Sequence, residues 1–210
     1  MPLYRATATT LANLVGADGA SGGFVKDSEV STFARTYLNL SSGRATDQIL
    51  GTWHVLAQSS VATTRNSVNG AGDATEATLV TVTIPAGALG ANGRLRVTLD
   101  WTYTNSASTK NLRARLNGLS GTTLDFIAPT TTAYQHRQFE IGNVNSASSQ
   151  VGAPSAFANG GWGTSTSAML TAAIDTTAAV DLVFTTAWGA SASAESISLS
   201  RYLVELLYAA

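Results

Sequence analysis

The chain has 210 residues, 44% of them hydrophobic and only 12% charged, which suits one large β domain or a domain of about 150 residues with an N-terminal appendage. Lys+Arg 12 against Asp+Glu 13 leaves a net charge of -1 without any basic run, arguing against electrostatic capture of nucleic acid or an anionic membrane. There is no cysteine, so disulfides and thiolate metal sites are excluded, and no apolar stretch approaches the roughly 18 residues of a spanning helix.

The opening, MPLYRATATTLANLVGADG, lacks the uninterrupted apolar core of a signal peptide, so synthesis as a soluble cytoplasmic product is expected. Residues 1–27 read as a flexible arm, and GADGASGG at 16–23 reads as a linker. After it, Val30, Phe33, Ala34, Tyr37 and Leu38 fall at helical spacing on one stripe, with Asp27 or Ser28 placed to cap it. A second short helical piece, GRATDQIL, carries Ala45, Ile49 and Leu50. Residues 28–51 are thus a helix-turn-helix segment too short to be stable alone, since isolated helices below about 12 residues are marginal in water.

From residue 52 to the C-terminus the dominant period is two, the mark of half-buried antiparallel strands. In RLRVTLDWTYT, Leu95, Val97, Leu99, Trp101 and Tyr103 face one way. In NLRARLN, Leu112, Ala114 and Leu116 do the same, and in VDLVFTTAW, Val180, Leu182, Phe184 and Trp188 share a face. Further strands are expected at 52–58, 78–84, 122–127, 134–142, 165–174 and 196–208. Asn-Gly pairs at 69–70, 92–93, 117–118 and 159–160 punctuate them as tight turns. In the last strand Ile197 and Leu199 lie on odd positions, but Tyr202, Val204, Leu206 and Tyr208 lie on even ones, which predicts a β-bulge or change of partner sheet near Ser200 and Arg201. Nine strands with long connections predict a mainly β fold: an antiparallel, jelly-roll-like β-sandwich over 52–210, preceded by the short helical segment and the arm.

Two stretches carry a resemblance. DSEVSTFARTYLNLSSGRATDQILG resembles the helix-turn-helix segment of tailed-bacteriophage fibre and appendage proteins. TVTIPAGALGANGRLRVTLDWTYTNSASTKNLRARLNG, with the closing AAVDLVFTTAWGASASAESISLSRYLVEL, resembles the C-terminal jelly-roll module of phage head fibres, decoration proteins and tail-fibre tips. The absence of repeats, coiled-coil heptads or a collagen-like run favours a short capsid-surface protein over a long fibre. The resemblance implies a homotrimer, in which three copies of the stripe formed by Val30, Phe33, Tyr37, Leu38, Ile49 and Leu50 would pool their apolar faces. The competing expectation is that the helices pack under the monomer's own sheet.

Catalytic parts are few. His54 and His136 sit far apart in strand patterns without neighbours at ligand spacing. GASGG matches a nucleophile elbow around Ser21 in letters only, because no strand precedes it and no periodic helix follows. A glycosidase pair would have to come from Asp100, Asp125, Glu140, Asp175, Asp181, Glu195 and Glu205, most of which read as the solvent side of strands. Asp73 and Glu76 flank a Gly-rich turn but lack the regular oxygen spacing of a calcium loop. No cofactor or metal is expected.

The expected function is therefore non-enzymatic: a phage virion structural protein, a trimeric capsid decoration protein or short head fibre on the outer capsid surface. Its partners would be itself and the major capsid protein or another virion protein. The arm would attach it to the particle, with Leu3, Tyr4, Leu11, Leu14 and Val15 as apolar anchors that order on docking. The alternative is a tail-fibre tip or adhesin binding host-surface carbohydrate through the loops at 104–110, 142–163 and 189–195. Tyr134, Phe157 and Trp162 are the aromatics available to stack on sugar rings.

Overall fold

The computed structural model describes residues 53–153, 167–190 and 192–208. The chain divides into two compact units, Met1–Ile49 and Leu50–Ala210. The arm and the helix-turn-helix segment, with all of their anchoring and oligomerisation residues, lie outside the described residues, as do Phe157 and Trp162.

The described part of the second unit is built from eleven strands: β1 (Trp53–Ser59), β2 (Thr63–Asn66), β3 (Ala77–Ile84), β4 (Arg94–Tyr103), β5 (Lys110–Leu116), β6 (Thr122–Ile127), β7 (Tyr134–Asn143), β8 (Gln150–Gly152), β9 (Leu170–Ala172), β10 (Val180–Trp188) and β11 (Ser196–Leu207). A single 3-10 turn, Ala71–Ala74, precedes β3. Every strand pairing is antiparallel. The larger sheet runs β1-β11-β4-β7-β8-β9, with β2 also pairing with β11, and the smaller runs β3-β10-β5-β6. Most connections cross between the sheets, and sequence-distant strands lie side by side. Eight principal strands wound this way form a jelly-roll sandwich.

The alternation in the sequence places the core. Leu95, Val97, Leu99, Trp101 and Tyr103 of β4 are buried, as are Leu112, Ala114 and Leu116 of β5 and Leu182, Phe184 and Trp188 of β10. Within this apolar layer one ion pair bridges the sheets: Arg137 of β7, 2% exposed, forms a fork with Asp125 of β6, 4% exposed. Burial pushes the Asp125 carboxyl above its ordinary range, and Arg137 only partly offsets this.

Bulges re-aim several strands. Leu199 faces Trp101 and Arg201 faces Asp100, so Ser200 is the extra residue that switches the inward side of β11, as its sequence pattern anticipates. Three edge strands carry the same device. The register skips Leu56 in β1, Leu79 in β3 and Leu124 in β6. The β6 bulge explains why both Leu124 and Asp125 point inward. The remaining edges, β2 and β9, have four and three residues. Short or bulged edges do not offer a flat ladder to another strand.

Turn chemistry follows the Asn-Gly pairs only in part. Asn69, Asn117 and Gly118 adopt positive φ. Gly93 is needed for a different reason: a Cβ there would lie 1.9 Å from the Leu89 carbonyl oxygen. The pair at 159–160 lies outside the described residues.

Candidate functional site

Strand directions sort the connections into two groups. Residues 67–76, 104–109, 128–133 and 189–195 meet at one end of the sandwich, and 85–93, 117–121, 144–149 and 173–179 meet at the other. The loops expected to share one site are therefore divided: 104–109 and 189–195 lie together, whereas the described start of 142–163 is at the opposite end.

At the first end the connections close on buried carboxylates. Glu195 accepts hydrogen bonds from the Ser106 and Ser108 hydroxyls, both at 2.7 Å, and from Trp188 Nε1 at 3.1 Å. Lys110, wholly buried, lies 3.7 Å from Glu195 and donates to Ser106 Oγ at 2.6 Å and to the Thr130 carbonyl. Asp73, also wholly buried, accepts from the backbone N–H groups of Val68, Gly70 and Ala192. Burial opposes the charge of both carboxylates, yet these donors hold their pKa values below the ordinary range.

The other end is tied by neutral groups. Asn143 donates to the Gly90 carbonyl and Thr176 Oγ1, while Gln150 donates to Asn143 Oδ1 and the Ile174 carbonyl and accepts from the Ile174 N–H. Beside it a recess of about 470 Å³ opens, with Arg94, Glu140, Gly142, Val144, Val151 and Met169 among its lining.

Tyr134 stands at the start of β7, 53% exposed. It belongs to a cluster on the outer face of the larger sheet. Asp100, mid-way along β4, faces His136 of β7 on one side and Arg201 of β11 on the other. Its Oδ1 accepts from the Tyr134 hydroxyl at 2.6 Å and lies 2.9 Å from His136 Nδ1, and its Oδ2 accepts from Arg201 Nε at 2.8 Å. The His136 and Arg201 side chains are 53% and 63% exposed, but the Asp100 side chain beneath them is only 7% exposed. Burial works against its ionisation, but the Tyr134, His136 and Arg201 bonds together hold the Asp100 pKa below its ordinary value. The reciprocal effect raises that of Tyr134, first through its bond to Asp100.

Apart from Glu140, which lines the recess 3.9 Å from Arg94, the carboxylates weighed for catalysis thus have hydrogen-bond partners. Asp125 pairs with Arg137, Glu205 with Arg96, Asp181 with Thr83 and Asp175 with Thr177. Arg115 forms a bidentate pair with Glu76 at 2.7 and 2.8 Å. Asp100, Asp125 and Glu195 differ from the solvent-side expectation because side chains or loops cover the first and third and the bulge turns the second inward. Among the described residues no cluster of three or more His, Asp or Glu could hold a metal ion, and no helix is long and apolar enough to cross a membrane.

Trp101 and Trp188 are core residues, whereas Trp53 lies half-buried with the Arg96 guanidinium 4.2 Å above its ring. The buried roles of Lys110, Glu195 and Asp73 left no trace in local periodicity; Asn-Gly and Gly-rich flanks marked only that turns were near.

No family model matches the sequence, and no curated protein is significantly similar to it. Among solved structures, that of infectious bursal disease virus Gx strain is similar at 14% identity and a TM-score of 0.36, over 76% of this chain and 33% of that one. The structure of infectious bursal disease virus Gt strain is similar at 17% identity and a TM-score of 0.30, over 75% and 32%. The chain spans about a third of the length of each.

Proposed function

We propose that this chain is a non-enzymatic structural protein of a tailed-bacteriophage virion, a capsid decoration protein or short head fibre that acts by binding. The observation that carries the reading is how the charged groups are used: Asp73, Glu76, Asp100, Asp125 and Glu195 are each tied to cations, hydroxyls or backbone N–H groups of the domain itself. A general acid or nucleophile must present its carboxylate to substrate in a cleft. Here the carboxylates lock loops and sheets, which suits a rigid surface module. The sequence resemblance at 28–51 supports its placement on a phage particle.

The bulged and short edges also bear on assembly. With strand addition disfavoured, a homotrimer has to use other surfaces, and the apolar stripe of residues 28–50 is the segment whose sequence asks for a partner. The arm, through Leu3, Tyr4, Leu11, Leu14 and Val15, is the proposed attachment to the major capsid protein or another virion protein.

Light scattering on the full chain and on residues 51–210 tests the oligomer. A trimer that becomes a monomer on truncation supports the reading, and an unchanged mass overturns the role given to the helices. Electron cryo-microscopy of native particles tests location: copies distributed over the capsid support decoration, and density confined to the tail supports the second reading. That reading, a host-surface carbohydrate binder, is favoured by one specific feature, the exposed and tethered ring of Tyr134.

A further inference from the structure

We propose that Tyr134, His136 and Arg201 form a binding platform for a neutral saccharide, held in shape from beneath by Asp100. This rests on the carbohydrate-binding reading and gives it a place on the fold and a ligand class.

The argument starts from the carboxylate. An ionised Asp100 can only accept hydrogen bonds, so His136 Nδ1 is the donor between them, which leaves Nε2 as the imidazole's second polar atom. Arg201 presents Nε and Nη2 to Oδ2, at 2.8 and 2.7 Å, which leaves the Nη1 donors for another acceptor. The Tyr134 hydroxyl is tied at 2.6 Å, fixing the ring while more than half of it stays exposed.

Three long side chains are thus oriented before any ligand arrives. Their conformational entropy is lost on folding rather than on binding, which is how preorganisation raises affinity. Surface side chains without such a tether would lose it at the moment of binding.

The groups on offer are an apolar ring face, the second imidazole nitrogen and a pair of guanidinium donors. A pyranose presents the complement: a C–H face that lies on an aromatic ring, and hydroxyls that can donate or accept at Nε2 and accept from Nη1. Tyr134 and His136 share one face of β7, and Arg201 lies two strands away across β4, about 10 Å between backbones at ordinary strand spacing. The three side chains converge on the single Asp100 carboxylate, so the platform is compact and suits one sugar ring. The Thr102–Ser200 and Thr64–Ser198 hydroxyl pairs, each 2.7 Å, continue a polar lane on the same sheet.

Charge selects the class. The Asp100 carboxylate balances the Arg201 guanidinium, so the platform offers no unpaired guanidinium to a uronate or sulfate. Neutral sugars fit it better than acidic ones.

The test uses the full chain on an array of immobilised neutral and uronic-acid-containing oligosaccharides, followed by calorimetry with the strongest neutral binder. Binding to neutral members is expected, with at least about tenfold weakening by Tyr134→Ala, equivalent to about 1.4 kcal/mol. Tyr134→Phe, which keeps the ring and removes its tether, should fall between that variant and wild type. Matching thermal melts establish that the variants fold. Binding that survives Tyr134→Ala, binding confined to acidic members, or loss only in Trp162→Ala overturns this platform but not the carbohydrate reading. No binding to any member overturns both.

Discussion

At one end of the sandwich four connections meet on two buried carboxylates, Asp73 and Glu195, with the buried Lys110 among them; at the other, three of the four meet on the amides of Asn143 and Gln150. Both solutions satisfy the backbone polar groups that irregular chain exposes. They differ in what they depend on. A carboxylate accepts several hydrogen bonds at once and strongly, but only while ionised, and its burial has to be offset by a cation or many donors. An amide both donates and accepts and does not titrate. One end is therefore conditional on pH and on charge balance, whereas the amide network of the other is conditional on shape; the Asp175 carboxylate there is exposed and ties only its own turn.

The largest expected effect comes from upsetting the charge balance. Lys110→Met leaves Glu195 buried without its cation and should cost about 3 kcal/mol, read as a lowered urea midpoint. Adding Glu195→Gln should recover part of that loss, because the uncompensated charge is then gone; if the double variant is no better than the single, Lys110 acts through packing alone. Gln150→Ala at the neutral end should cost about 2 kcal/mol by stranding the Ile174 N–H and C=O, and the cost should be the same at pH 7 and pH 5.

Acid separates the two ends directly. Since the Asp73 and Glu195 pKa values are lowered by folding, their stabilisation is fully present above the ordinary carboxylate range and is lost as pH falls below about 4 through the folded values. Asp125 has the opposite sign: its raised pKa means that acid relieves a penalty in the core. Hydrogen exchange should accordingly show the amides of Val68, Gly70 and Ala192 losing protection on acidification before that of Ile174. Simultaneous loss at both ends would mean that the sandwich opens as a unit.

The smallest effect concerns a flaw near the charged end. Among the described residues, Thr186 Oγ1 is the buried side-chain polar atom without a hydrogen-bond partner. Thr186→Val keeps the shape and removes the orphan hydroxyl, and should raise stability by up to about 1 kcal/mol in the same denaturation assay.

Much of the fold was legible because sheet structure writes itself into alternation. β4, β5, β10 and β11 follow from period-two runs, and even the Ser200 bulge shows as a change of parity. β2 and β8 were not legible. TTRN has no apolar phase to read, and QVG buries a glutamine for the sake of a loop contact rather than an apolar side chain. The β9 expectation of 165–174 shrinks to Leu170–Ala172 among the described residues because pairing there is limited to the three residues of β8. For the candidate platform, Tyr134 stood out as an aromatic, but its partners did not. His136 is two residues away, whereas Asp100 and Arg201 are remote in sequence, and only register brings them to one carboxylate.

Composition and periodicity by themselves determined that the described residues form a β-sandwich, because burying one face of a strand constrains every second residue. Only the tertiary structure decided which charges go inside. Whether Asp125 meets Arg137, or Glu195 meets Lys110, depends on bulges, crossings and strand order, and these are set by contacts between residues far apart in the chain, which leave no local pattern.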